Sequence, residues 1–217
     1  MEGGGYSSAE SKISFVQLSN IGKYESVDEL ATIANAGFFT MILTIISARI
    51  GGLGGLPMNL YFEMFGLEGI ISCVMLTTIL FQISRYFYTR LYGTYDRAWS
   101  PFVFICFLIG AQVLYDLIFY YGVVANMKKG QNDVIDLIRA YSNENGWKAV
   151  AGHSAFVIVT ALVAMILCDS SDLAKLILFG VLAFSIPYVI SIPFVKPAPP
   201  PPPPKKEEVQ RNPRGFY

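Results

Sequence analysis

An all-α, polytopic bundle of membrane-spanning helices is the fold class this sequence predicts, and three observations predict it. Of 217 residues, 53% are hydrophobic and only 15% are charged, against roughly 25% charged in an ordinary soluble domain. The apolar residues gather into runs of about 20, the length at which a helix rising about 1.5 Å per residue crosses a hydrocarbon core of about 30 Å. The charges fall between those runs, and 16 basic and 16 acidic side chains cancel. Nothing in that balance calls for nucleic acid as a partner.

In chain order, residues 1–25 form a polar N-terminal segment. Its opening "MEGGGYSSAESK" has neither a basic leader nor an apolar core, so no cleaved signal peptide is expected and the first apolar run acts as the insertion signal. The bundle occupies 26–195. Span 1 covers about 30–50 behind a capping box, Ser26 to Glu29, in which the serine takes a helical amide and Glu29 reaches back. Gly51, Gly52 and Pro57 end it. Span 2 covers about 69–88 and leaves the membrane through Arg85 into a stretch mixing Tyr86, Tyr88, Tyr92, Tyr95 and Trp99 with Arg90 and Arg97. Directly after a span, that mixture reads as an interfacial aromatic belt with arginine anchors.

Span 3, about 101–124, opens on Pro101, a favoured first helical position. A polar interval follows, within which 130–146 reads as an amphipathic connector helix. Val134, Leu137, Ile138 and Tyr141 share one face of it, and that face is expected to meet a membrane surface or a partner. Span 4, about 148–168, ends in the turn "DSSD", and span 5, about 173–195, carries Pro187 and Pro193. Proline removes an amide and crowds the preceding turn, so a kink is expected near Ala183 to Pro187. If span 1 lies at the interface instead, four spans remain.

Five spans place the termini on opposite sides of the bilayer. Most of the 16 basic residues fall on the side of the connector and the C-terminus, which makes that side cytosolic, although the arginines after span 2 pull the other way. Residues 196–217, "KPAPPPPPPKKEEVQRNPRGFY", read as a polyproline II rod of about 25 Å bearing a recognition tip. Lys205, Lys206, Arg211, Arg214, Phe216 and Tyr217 are its partner-binding candidates. A solvated spacer, or a proline ligand for an aromatic groove, are the other uses of such a segment.

Candidates for chemistry are few. "GGLGG", residues 51–55, lacks the G-K-[ST] of a phosphate loop and reads as a turn. Cys73, Cys106 and Cys168 lie within or at the ends of apolar runs without C-x-x-C spacing, so they read as packing residues. Asp116 stands inside span 3 with Gln112 one turn earlier. An intramembrane carboxylate is costly, and hence a candidate site for interhelical hydrogen bonding or an ion route. His153 is the single histidine, in "AGHSA". It has neither a metal-ligand set nor the G-x-S-x-G elbow of a hydrolase. The chain therefore reads as a non-enzyme that takes no cofactor and no metal.

The segment "NMKKGQNDVIDLIRAYSNENGWKAVAGHSA", residues 126–155, flanked by spans, resembles a segment of small multi-pass membrane proteins of large icosahedral double-stranded DNA viruses, the chlorella virus and giant virus group. Asn126, Gly130, Asn132, Asp136 and Tyr141 carry the match, which covers about a seventh of the chain closely. The resemblance implies a minor capsid protein embedded in the virion inner membrane, with the capsid or another shell protein as partner of the C-terminal tail, and with self-association open. The competing readings are a small ion or proton channel or transporter centred on Asp116, Gln112 and His153, and an accessory subunit of a membrane complex.

Overall fold

A computed structural model describes residues 18–26, 29–93 and 98–194. Among them the regular elements are all helices: α1 (Glu29–Gly51), α2 (Gly55–Phe87), α3 (Pro101–Phe119), α4 (Asp133–Asn145), α5 (Trp147–Leu167) and α6 (Asp172–Ile190). A wider π-helical turn prolongs α2 to Tyr92, and another prolongs α3 to Val124. With these extensions α2 and α3, together with α1, α5 and α6, are the five helices long and apolar enough to cross a membrane.

Local chemistry explains most of the boundaries. Ser100, Asn132 and Ser171 each accept an amide of the first turn of α3, α4 and α6, the usual task of an N-cap side chain. The turn between α1 and α2 uses Gly52, Gly54 and Gly55 at φ of 69°, 73° and 68°, a region only glycine enters without strain. Within the spans, the hydroxyls of Thr40, Thr44, Thr77, Thr78, Ser84 and Thr160 donate to the carbonyl four residues back. No water is available in hydrocarbon, so this keeps each polar group satisfied inside its own helix.

The helix α1 is central, packing against α2, α5 and α6. Ile33, Ala36, Ile45 and Ala48 on it are buried, so α1 packs inside the bundle and not apart from it. Two apolar clusters fill the interior. One joins Phe81, Phe104, Leu108, Val157, Ala161 and Met165. The other joins Met41, Ile42, Ile45, Phe62, Ile70, Val74, Leu182 and Ile186. The bundle thus has two ends. At the first, α1, α3 and α6 begin and α2 and α5 finish. At the second, α1, α3 and α6 finish and α4 lies across.

Several expectations need correction. The second helix starts at Gly55, not near residue 69, because Pro57 sits in its first turn, where a missing amide costs nothing. Gly66, at φ 45° and ψ −123°, then breaks it into two arms. The Tyr61 hydroxyl reaches the Gly69 carbonyl at 3.2 Å and Cys73 Sγ at 3.6 Å. Residues twelve apart in a straight helix lie about 18 Å apart, so the short arm folds back on the long one. By contrast α6 stays helical through Pro187 and stops at Ile190, short of the expected 195. Residues 18–26, taken as part of a separate polar segment, are a strap across the first end with Ile21 fully buried. The proline-rich tail lies outside the described residues.

Candidate functional site

The α3 side of the α3–α5 seam follows from spacing alone. Phe104, Leu108, Gln112 and Asp116 succeed one another four residues apart, so they line one face of α3. The first three of them are fully buried. Opposite them on antiparallel α5 stand Met165, Ala161 and Val157, then Ser154 and His153. The apolar seam therefore runs into a polar one as it approaches the second end. His153 lies six residues into α5 and Asp116 eight residues short of Val124, which puts the pair about 9–12 Å inside that end.

There the structure brings together the three intramembrane residues singled out from the sequence. His153 Nδ1 is 3.0 Å from Asp116 Oδ1 and 3.3 Å from Oδ2. Gln112 Nε2 donates to Asp116 Oδ2, and Ser154 Oγ donates to Gln112 Oε1 at 2.7 Å. Asp116 and His153 keep 22% and 28% of their side-chain exposure, whereas Gln112 has none. The arrangement joins α3 to α5 through a carboxylate–imidazole pair. Ser154 gives its proton to Gln112 and not to His153, so no Asp–His–Ser relay is assembled.

Tyr141 of α4 completes the surroundings. Burial first, and the Asp116 charge second, push its phenol above the ordinary range. Val134, Leu137 and Ile138 are half-buried with it, and Ile135 is buried. The apolar face of α4 that was expected to meet a membrane surface or a partner is thus turned inward, because α2 and α5 supply an apolar surface closer at hand. The other partner-binding candidates, Lys205, Lys206, Arg211, Arg214, Phe216 and Tyr217, lie outside the described residues.

Sequence reasoning missed two arginine centres. Arg85, read as an interfacial anchor, is fully buried at the first end. Its guanidinium donates to Glu29 Oε2 at 2.6 Å, to the Ser26 carbonyl at 2.8 Å, to Gln82 Oε1 at 2.7 Å and to the Lys23 carbonyl. Glu29, read as half of a capping box, is therefore engaged across the bundle. Thr89 and Trp99 bind the strap as well, at the carbonyls of Gly22 and Leu18. The available signal was positional: Glu29 opens one span and Arg85 closes its antiparallel neighbour, so both come to the same membrane face. At the second end Arg49 donates to the Ile190 carbonyl at 3.2 Å and lies 4.8 Å over the Phe194 ring. It holds the root of the C-terminal segment.

An open apolar groove of about 540 Å³ lies between α2 and α3, lined by Leu80, Phe87, Cys106, Phe107, Gly110 and Tyr115 among others, and it is separate from the polar cluster. All three cysteines are unpaired. The Cys168 thiol, just past α5, is pushed up by burial and then by the Glu29 and Asp169 charges. Among the described residues no three His, Cys, Asp or Glu side chains converge as a metal site would require. No family profile, curated protein or solved structure matches the chain.

Proposed function

We propose that the protein is a structural, non-enzymatic membrane component that ties a lipid bilayer to an overlying protein shell. Its fullest form is the one implied by residues 126–155: a minor capsid protein of an icosahedral virion with an inner membrane. The helices stay in lipid, and the C-terminal segment meets the shell.

The observation that carries the structural reading is the sealed interior. From Glu29, Arg85 and Lys175 at one end to Asp116 and His153 near the other, no further charged side chain interrupts α1, α2, α3, α5 or α6. Phe81, Phe104, Leu108, Val157 and Ala161 close the space between with no exposed surface. A conducting route needs polar groups or water along its length, and an anchor does not. Two further points support the tether. Arg49 lies over the Phe194 ring at the second end, the end across which α4 lies. Arg85, which seemed to oppose a cytosolic C-terminus, is neutralised by Glu29 inside the bundle and drops out of the charge count.

Cross-linking mass spectrometry on the native membrane or particle tests this. Reproducible links from Lys205 and Lys206 to a shell protein are expected, and only self-links would overturn the tether. The channel or transporter reading draws on the partial exposure of Asp116 and His153, and Asp116→Asn separates the two. An anchor keeps its partners and shows no change in ion flux, whereas a transporter assembles and loses flux.

A further inference from the structure

The structural reading leaves the groove between α2 and α3 without a task. Leu80, Ile83 and Phe87 wall it on α2, and residues from Val103 to Ile118 wall it on α3. Both helices are long and apolar enough to cross a membrane, so the groove opens at hydrocarbon depth. Gly110 lines it without a side chain, and no atom lies within 4 Å of where a Cβ on it would stand.

Its dimensions select the occupant. Val103 and Ile118 stand about 22 Å apart along α3 at 1.5 Å per residue, so a volume of about 540 Å³ gives a mean section of about 25 Å². A helix with side chains is at least about 10 Å wide and needs a section of about 80 Å². A single extended hydrocarbon chain, with carbons packed about 4 Å from their neighbours, needs about 20 Å². The groove is lined by eleven residues, whereas a stable protein interface takes about 20–30 residues a side. A second copy or another protein is therefore too large for it, and a lipid chain is not.

The mouth of the groove at the first end supplies a charge. Phe87 is the last groove residue on α2, the Tyr86 ring lies 5.6 Å from the Phe87 ring, and the Arg90 guanidinium lies 5.8 Å over Tyr86. Arg90 is exposed, which puts a cation just outside the apolar section, at the height of the headgroups. We propose that the α2–α3 groove is a phospholipid site that holds one acyl chain against Gly110, with the phosphate drawn to Arg90. The inference concerns lipid alone and holds independently of the shell reading.

Photolabelling tests it. The full-length protein is placed in nanodiscs of phosphatidylcholine with a minor share of phosphatidylglycerol carrying a mid-chain diazirine, irradiated, and its adducts are mapped by mass spectrometry. The exposed outer face of α6, at Leu176, Val181 and Phe184, measures contact with bulk lipid. In the wild type, adducts between Cys106 and Leu114 should exceed those on α6 by about fivefold, the preference that one basic residue gives an anionic lipid. Gly110→Leu, which fills the groove, should bring it down to the α6 level, and Arg90→Gln should lower it. Equal labelling of groove and α6 in the wild type would overturn the proposal, as would unchanged labelling in Gly110→Leu. An unlabelled groove with Cys106 cross-linking between copies would overturn it as well, by giving the groove to a second copy of the chain.

Discussion

Arg85 shows how far one residue's meaning depends on its neighbours. A guanidinium has five N–H donors in a rigid fork, and this one serves two carbonyls, an amide oxygen and a carboxylate. Its side chain has no exposure, and Glu29 retains 14%. Removing the anion leaves a buried cation uncompensated, which costs about 3–5 kcal/mol. Glu29→Gln should therefore lower the unfolding free energy in detergent by about that amount. A loss under about 1 kcal/mol would class the pair with ordinary surface ion pairs. Asp116 was legible at the same scale, because a carboxylate in hydrocarbon must find partners and the four-residue step from Gln112 names the first of them. The partners on α5 were not legible, since spacing within one helix says nothing about which helix faces it.

At the scale of elements, glycines of one type do opposite things. Gly66 carries a backbone conformation closed to other residues, and the fold of α2 onto itself depends on it. Gly110 sits in regular helix, with nothing within 4 Å of an added Cβ. Gly66→Ala should destabilise by about 1–3 kcal/mol through strain. Gly110→Ala should be neutral or stabilise by up to about 1 kcal/mol through helix propensity. Equilibrium unfolding of both variants in one detergent checks the contrast, and equal effects would mean that the break at Gly66 is not required. Hydropathy located the long arm of α2 and missed the short one. The arm from Gly55 to Phe65 is not oily enough to read as a span, and its helicity comes from packing Asn59 and Phe62 against the bundle.

Across the whole molecule, the odd number of spans carries the strongest consequence. Glu25 is exposed at the first end and Asn143 at the second. Glu25→Cys and Asn143→Cys, each made in a chain whose three native cysteines are replaced, should label from opposite sides of sealed vesicles with an impermeant maleimide. Labelling of both from one side would refute the five-span arrangement. The strap, α2 and α1 lock the first end, and Arg49 with Phe194 and α4 closes the second. The bundle is thus pinned at both faces around an uncharged middle.

By itself the sequence determined the helical class, the approximate spans and the face of α3 that carries Gln112 and Asp116. These depend on periodicity and on the cost of polar groups in lipid, and both act within a single helix. The tertiary structure alone decided that Glu29 meets Arg85, that α4 turns its apolar face inward, and that His153 and Ser154 answer Asp116 and Gln112. Those pairings join residues far apart in the chain, and they are chosen by which helices lie antiparallel and at what depth. No local pattern encodes that choice.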